Sequence, residues 1–219
     1  MGQTEVNLLM KGINHPTLGM FKKEEYIGSG GFGHVWKVLY CKGDYHLAMK
    51  QLSKKEIINQ NFVENIFSER NILNIIYNVH IVNLYLTFQD DNYLYMIMDY
   101  LEGGDLRKHM IAKKFNIKEI KFIAACIIIA LEYIHKKGII HRDIKPENLI
   151  FDNKGYLRIS DFGIAIKNNT ISQLEKNSDK SGTPGYMAPE RIINNININY
   201  TYCSDYFSLG IILYELTAL

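Results

Sequence analysis

His141-Arg142-Asp143-Ile144-Lys145-Pro146-Glu147-Asn148 is the stretch that decides the fold of this 219-residue chain. Asp161-Phe162-Gly163 and then Ala188-Pro189-Glu190 follow it in order. At residue frequencies of about one in twenty, the fixed positions of the first stretch alone arise by chance on the order of once in 10⁶ windows. Their ordered recurrence therefore indicates one specific kind of chemistry.

A glycine-rich segment lies upstream, Gly28-Ser29-Gly30-Gly31-Phe32-Gly33-His34-Val35. Glycines let backbone N–H groups approach phosphate oxygens closely, although a plain glycine-rich turn has the same composition. A dinucleotide-binding fold would continue with a helix, whereas Val35 to Tyr40 is rich in apolar and aromatic residues and predicts a strand. The pattern favours a hairpin that folds over a nucleotide.

Two charged residues stand out beyond this hairpin. Alternation along a predicted strand from Tyr45 to Gln51 puts Lys50 on the same face as the small Ala48. Glu69 falls on the apolar stripe of a helix predicted to begin at Phe62. We expect Glu69 to be the counter-charge of Lys50; the alternative is that both are solvated surface groups.

The rest of the chain divides at Gly103-Gly104, which breaks it before a mostly helical half. Residues 82–100 before the break predict a second hairpin. After the break, Asn116 with Glu119 three residues on predicts the start of a long helix that reaches His135.

Together these motifs resemble the eukaryotic protein kinase family, from Gly28 to Gly210 with no gap in their order. The resemblance implies an α+β, two-lobe protein-kinase-like fold. On this interpretation residues 1–20 form an N-terminal extension, residues 21–101 the β-rich N-lobe, and residues 102–219 a helical C-lobe.

The type of kinase is indicated by Lys145 after the aspartate and by Gly182-Thr183-Pro184, features of serine/threonine rather than tyrosine kinases. Gly103-Gly104-Asp105-Leu106-Arg107 and Tyr186-Met187-Ala188-Pro189-Glu190 resemble the AGC group, and within it the YANK-type branch most.

Catalytic roles follow from this resemblance, since phosphoryl transfer needs positioning and charge neutralisation. Asp143 is expected to orient the substrate hydroxyl and accept its proton, and Lys145 to neutralise the transferring phosphate. Thr183 should bridge these two residues. Lys50, paired with Glu69, is expected to grip the inner phosphates of the nucleotide.

The cofactors implied are ATP and Mg²⁺, with Asn148 and Asp161 as magnesium ligands. Met98 resembles the gatekeeper before a hinge whose contacts with adenine are mostly made by backbone. The residues expected at the nucleotide are Ile27, Gly28, Gly30, Gly33, Val35, Ala48, Lys50, Met98, Asp99, Leu101, Asp105 and Asn148.

The predicted function is ATP-dependent phosphorylation of Ser/Thr hydroxyls on proteins. Asp205-Tyr206-Phe207-Ser208-Leu209-Gly210 matches the family helix that anchors the catalytic loop, with Phe207 where Trp is usual. The sequence stops at Leu219 inside that helix, and we expect a C-lobe that lacks its final helices. The alternative is therefore a non-catalytic ATP-binding pseudokinase or scaffold, or an inactive fragment.

The sequence also predicts a regulatory feature before the Gly-Thr-Pro motif. Asp179 stands where many AGC kinases carry a regulatory phosphothreonine, and Arg142 could pair with this built-in charge. Ser178, Ser181 and Thr170 are alternative regulatory hydroxyls, for which an ordinary loop position is the simpler interpretation.

Substrate preference is suggested by Asp105, Glu147 and Glu215, which match positions that hold basic residues of peptide substrates in the cyclic-AMP-dependent kinase. They favour basic-flanked Ser/Thr sites. Carboxylates at a cleft rim are, alternatively, often just solvated.

Composition excludes some partners. A formal charge of +2 is too small to indicate nucleic acid, and the apolar stretch from Phe122 to Leu131 is too short to span a bilayer. The start of the chain does not have the profile of a signal peptide. Val6 stands where Ser or Thr is usual after a myristoylated Gly2, so we expect an ordinary tail. Three scattered cysteines, Cys41, Cys126 and Cys203, predict reduced thiols and a cytoplasmic protein.

Overall fold

The computed structural model describes residues 6–7, 9–10, 12–30, 33–167, 181–192 and 201–218. They form two compact units, one from residues 1–64 and 82–101 and the other from residues 65–81 and 102–219. The strands are β1 Phe21–Gly30, β2 Gly33–Tyr40, β3 Tyr45–Ser53, β4 Leu84–Gln89, β5 Tyr93–Asp99, β6 Ile139–Ile140, β7 Leu149–Phe151, β8 Leu157–Ile159 and β9 Ile166–Lys167. The helices are α1 Lys54–Asn59, α2 Val63–Ile75, α3 Leu106–Ala112, α4 Ile117–Lys136, α5 Pro189–Ile192 and α6 Cys203–Ala218, with 3₁₀ turns at Leu18–Met20 and Pro146–Asn148.

The first unit is built on one antiparallel sheet in the order β1-β2-β3-β5-β4. Both hairpins predicted from the sequence are confirmed. The turn between β4 and β5 is fixed by Asp90, whose Oδ1 accepts hydrogen bonds from the N–H groups of Asn92 and Tyr93 at 2.9 and 2.8 Å. Its Oδ2 accepts the hydroxyl of Tyr95 at 2.6 Å, and these bonds hold the pKa of Asp90 below its ordinary value.

The core of this sheet includes a residue from the predicted N-terminal extension. Met10 is only 1% exposed, although no period in residues 1–20 predicts a buried position. The core cluster consists of Met10, Phe21, Val38, Tyr40, Leu47, Met49, Tyr85, Tyr95 and Ile97. The N-terminal segment therefore contributes to the stability of the first unit.

We expect Met10→Ala to lower the free energy of unfolding by about 2–5 kcal/mol, because it removes buried apolar contacts and leaves a cavity. Leu9→Ala is a matched control, since the neighbouring Leu9 is 42% exposed. That change should cost less than about 0.5 kcal/mol. Urea denaturation of both variants measures the difference, and equal losses would contradict the assignment of Met10 to the core.

The second unit is mainly helical and contains the β6–β9 and β7–β8 strand pairs. Its long helix α4 begins as predicted. Asn116 Oδ1 accepts from the N–H groups of Lys118 and Glu119, while Glu119 Oε2 accepts from Asn116 N at 2.8 Å. This reciprocal capping box satisfies N–H groups that have no partner inside the helix.

The helix predicted to begin at Phe62 begins at Val63. Its predicted apolar stripe is partly wrong: Phe62 is 36% exposed, because it precedes the first helical residue. Glu69 is nevertheless buried together with Leu73, at 2 and 3% exposure. The α+β class predicted from the sequence is confirmed, while the short helices α1 and α3 were not predicted.

Within the described part of the chain, no helix combines the length and the apolar character that a membrane crossing requires.

Candidate active site

The loop that carries Asp143 is held in place by a carboxylate from helix α6. Asp205 is 0% exposed, and its two oxygens accept hydrogen bonds from His141 N at 3.0 Å and Arg142 N at 2.9 Å. His135 Nε2 lies 2.8 Å from Asp205 Oδ2. Arg142 has a φ of 71°, in the left-handed region that a non-glycine residue adopts at a cost. The anchor predicted from the sequence is thus observed as three contacts to one buried aspartate, of which that from His135 was not predicted.

Asp143 is enclosed by three polar side chains. Thr183 Oγ1 donates to Asp143 Oδ1 at 2.7 Å, and Lys145 Nζ lies 2.7 Å from Asp143 Oδ2. Lys145 Nζ also donates to Thr183 Oγ1 at 2.8 Å, so Thr183 bridges the other two. Asn148 Nδ2 donates to Asp143 Oδ2 at 3.0 Å. The structure brings together three of the residues predicted to act in catalysis and one predicted magnesium ligand, Asn148.

The ionisation of Asp143 follows from these contacts. Burial alone raises the pKa of this carboxyl group, but the hydrogen bonds from Lys145 and Thr183 outweigh it, and the net pKa lies below the ordinary value. Because the folded-state pKa is depressed, the carboxylate stabilises the folded chain at neutral pH. This contribution is lost only as the pH falls through the folded-state pKa.

The ring of His141 supports the loop that carries Asp143 through two hydrogen bonds. Its Nε2 lies 3.0 Å from Ser160 O, an acceptor, so this nitrogen carries the proton and donates. Its Nδ1 is then the acceptor that receives Asp143 N at 3.3 Å. His141 is 0% exposed, and its ring links Ser160, the residue after β8, to the backbone of Asp143.

Asn148 and Asp161 offer oxygen ligands of the kind that magnesium prefers. The amide nitrogen of Asn148 donates to Asp143 O at 2.9 Å and to Asp143 Oδ2 at 3.0 Å. The carbonyl oxygen Oδ1 of the same amide therefore points away from Asp143. Asp161 is exposed, with a φ of 59°. Among the described residues, no group of three or more His, Cys, Asp or Glu side chains could hold a metal ion. A carboxylate with an amide oxygen fits Mg²⁺, which keeps several waters, better than it fits zinc.

Glu69 lies in the second unit near the Asp161-Phe162-Gly163 motif. Its Oε2 is 3.9 Å from the position that a Cβ on Gly163 would occupy, and Asp161 Oδ1 is 3.2 Å from that position. A side chain at residue 163 would therefore crowd the Asp161 carboxylate and touch that of Glu69 at ordinary contact distance. Lys50 belongs to the first unit, where it lies on β3 opposite Val35, and its pairing with Glu69 stays a prediction.

The segment around the Gly-Thr-Pro motif has an attachment that the sequence did not predict. Arg191 NH1 donates to Arg142 O at 2.9 Å, and the same guanidinium donates to Ser181 O. Arg142 Nε in turn donates to Ile164 O at 2.6 Å. Asp179 and the regulatory hydroxyls predicted at Ser178 and Thr170 lie outside the described residues.

The described residues of the glycine-rich segment lie on β1 and β2, and Gly33 pairs with Leu52 on β3. A Cβ on Gly33 would lie 1.9 Å from Gln51 O, a separation that atoms cannot adopt. A Cβ on Gly28 would meet no atom within 4 Å. Gly33 is thus required by the close approach of two strands.

We expect Gly33→Ala to lower the free energy of unfolding by about 1–3 kcal/mol, because the strands must separate to admit a methyl group. Gly28→Ala is the matched control, for which we expect a change below about 1 kcal/mol. Urea denaturation followed by circular dichroism measures both. A loss for Gly28→Ala as large as that for Gly33→Ala would contradict the argument from the strand contact.

The remaining residues predicted at the nucleotide lie on the first unit's sheet or just after it, except for Asp105 and Asn148. Ala48 is 8% exposed, whereas Ile27 is 46% exposed. The Asp99 side chain is held within its own unit, since its Oδ2 accepts from Asn83 N and Nδ2 at 2.9 Å. Tyr85 also donates its hydroxyl to Asp99. These bonds fix the backbone of the predicted hinge.

The carboxylates predicted to read basic substrates already have partners. Asp105 Oδ1 caps helix α3 by accepting from Lys108 N at 2.9 Å, and its Oδ2 lies 3.0 Å from Lys108 Nζ. Glu147 Oε1 accepts from Arg107 Nε at 2.8 Å, and Glu215 Oε2 lies 3.5 Å from Arg107 NH2. The sequence did not identify the arginine that joins Glu147 and Glu215, and the role of the three carboxylates in substrate binding stays a prediction.

Comparison with known proteins adds to this geometry. The sequence profile of the protein kinase domain matches residues 21–219. The cAMP-dependent protein kinase catalytic subunit of Dictyostelium discoideum is 39% identical over 201 residues, which cover 90% of this chain and 30% of that protein. The RAC family serine/threonine-protein kinase homolog of the same organism is 38% identical over 219 residues, 97% of this chain and 48% of that protein. The cGMP-dependent protein kinase 2 of Homo sapiens is 41% identical over 191 residues, 87% of this chain and 24% of that protein. The chain spans less than half the length of these relatives.

Proposed function

Because this chain belongs to the protein kinase family, we propose that it transfers the γ-phosphate of ATP to serine and threonine hydroxyls of proteins. Its relatives are serine/threonine kinases of the AGC type, in agreement with the motifs. The finer placement in the YANK-type branch stays a prediction.

The observation that carries the proposal is the cluster of Lys145, Thr183 and Asn148 around Asp143. As the substrate oxygen forms a bond to the γ-phosphorus, its proton passes to a carboxylate oxygen of Asp143, and the bond from phosphorus to ADP breaks. A depressed pKa keeps Asp143 ionised and able to orient the hydroxyl at neutral pH. Lys145, held by Thr183, offsets negative charge on the transferring group.

Asn148 and Asp161 are proposed to hold the divalent ion, and Mg²⁺ is the ion that their oxygens suit. When bound, it neutralises charge on the phosphate oxygens. The hydrogen bonds from Asn148 to Asp143 make one residue responsible both for orienting the carboxylate and for presenting an amide oxygen.

For ATP itself, we propose contacts with the first unit's glycine-rich strands, with Ala48 and Lys50 on β3, and with the hinge backbone at Asp99 and Leu101. Support comes from the close strand approach at Gly33 and from the side-chain bonds that fix Asp99. The roles of Lys50 and of its partner Glu69 stay predictions.

Further parts of the proposal concern surroundings and regulation. All three cysteines lie in described ranges and carry free thiols, which supports a cytoplasmic protein.

We retain the proposal that Asp179 replaces a regulatory phosphate, and that Gly2 begins an ordinary tail. The preference for basic-flanked sites stays a prediction from the sequence alone, and the contacts of Glu147 and Glu215 with Arg107 do not favour it.

Magnesium-dependent transfer of labelled phosphate from ATP to a mixed Ser/Thr peptide library tests the function. We expect transfer to Ser and Thr peptides and none to Tyr peptides. Binding of Mg–ATP without any transfer would instead support the non-catalytic scaffold.

A further inference from the structure

Arg107 occupies the middle of a charged cluster that none of the catalytic roles uses. Its Nε donates to Glu147 Oε1 at 2.8 Å, and its NH2 donates to the hydroxyl of Tyr186 and lies 3.5 Å from Glu215 Oε2. The hydroxyl of Tyr186 in turn donates a hydrogen bond to Glu215 Oε2 at 2.8 Å. One guanidinium on helix α3 therefore joins two carboxylates and a phenol that come from three other segments.

This cluster adjoins Asp143 along two routes. Glu147 belongs to the Pro146–Asn148 turn, whose last residue donates to Asp143. Tyr186 N donates to Thr183 O at 3.1 Å, and Thr183 Oγ1 bonds directly to Asp143. A peptide that places its hydroxyl at Asp143 extends its next two to four residues over roughly 7–14 Å, which reaches this surface.

Arg107 reduces the negative charge of this cluster from −2 to −1. Arg107 supplies one positive charge and Glu147 and Glu215 one negative charge each, while burial and the bond to Glu215 raise the pKa of Tyr186 to about 12 and keep it neutral. The side chains of Arg107 and Glu215 are 27 and 29% exposed, so the contacts are shielded in part from water. Asp105 is separately engaged by Lys108.

We propose that Arg107 is a specificity-determining residue that occupies the carboxylates of Glu147 and Glu215, so that this chain does not select basic residues beside the phosphorylated hydroxyl. A basic peptide side chain would have to displace a guanidinium that is covalently part of the protein and already makes three contacts. Substrates with neutral flanks are therefore accepted as well as basic ones. This inference rests on the proposed function, since it assigns the peptide to the surface next to Asp143.

The test compares binding of two labelled peptides with a central Ser, one carrying Arg residues on its flank and the other Gln. Fluorescence anisotropy is measured at low salt with a non-hydrolysable ATP analogue, so that no phosphate transfer is needed. For the natural chain we expect the two dissociation constants to agree within about threefold. For Arg107→Met, which keeps length and removes charge, we expect the Arg peptide to bind on the order of tenfold more tightly than the Gln peptide.

Adding Glu147→Gln to Arg107→Met should reduce that gained preference, because only the Glu215 carboxylate is then left. Glu147→Gln in the natural chain is a second test that leaves Arg107 in place, and it should favour a Glu-flanked peptide over the Gln peptide by about threefold or more. It applies equally if Arg107→Met does not fold by circular dichroism.

The proposal is overturned if the natural chain already prefers the Arg peptide tenfold, if neither variant changes the preference, or if no peptide binds to any variant. Expected binding ratios without phosphate transfer would reject the proposed function and retain the role of Arg107. Phosphate transfer with the same ratio of peptide dissociation constants in every variant would retain the proposed function and reject the role of Arg107.

Discussion

Asp143→Asn is expected to lower the rate of phosphate transfer by roughly 10²–10⁴-fold, the loss typical of removing a general base. The amide keeps the shape of the side chain and can still bond to Thr183 and Lys145, but it cannot take up the hydroxyl proton. That factor corresponds to about 3–5 kcal/mol in activation free energy. The measurement is the initial rate with Mg–ATP and saturating peptide.

The control for this variant is Asp91→Asn, the same chemical change at an exposed residue of the β4–β5 turn, which should leave the rate unchanged. Mg–ATP binding should survive in both variants, because Asp143 is not among the proposed ligands of the ion. More than a tenth of the natural rate in Asp143→Asn would remove the general-base assignment.

Asp205→Ala is expected to lower the free energy of unfolding by about 3–5 kcal/mol and to abolish transfer. The change leaves His141 N and Arg142 N without their acceptor in a place where both residues are at most 5% exposed. It also removes the partner of His135. Because folded domains are stable by only about 5–15 kcal/mol, this is a large part of the total.

Asp205→Asn keeps the shape of the side chain and removes its negative charge. The amide retains one acceptor oxygen, so we expect a smaller loss of about 1–3 kcal/mol. Glu132→Gln is the surface control, since Glu132 is more than half exposed and pairs with Lys136 four residues on. Denaturation by urea orders the three variants, and a loss in Asp205→Ala no larger than in Glu132→Gln would refute the anchoring role.

The sequence predicts a residue of this site when the residue interrupts a local pattern, contacts a neighbour in the chain or belongs to a known motif. Glu69 was found because a charge interrupted an apolar period, and the structure buries it at 2% exposure. Asn116 was found because capping is a contact between neighbours in sequence. The bridge at Thr183 came from motif resemblance, since 40 residues separate it from Asp143.

The residues that were missed lack any local signal. Met10 lies in a segment with no hydrophobic period, and only the packed sheet shows that its side chain is buried. Arg107 and Arg191 resemble ordinary surface arginines, because Glu147 and Arg142, to which they donate, lie 40 and 49 residues away. Pairings of that kind depend on how the helices pack, which neither composition nor spacing specifies.

The anchoring by Asp205 has a consequence for the order of events on the ribosome. His141 N and its acceptor are separated by 64 residues, so the loop that carries Asp143 is synthesised long before its anchor exists. At translation rates of about 5–20 residues per second, this interval lasts roughly 3–13 s. A nascent chain in that interval has every residue of the loop but not the acceptor that holds its backbone, so we expect the loop to take up this conformation only after helix α6 has been synthesised.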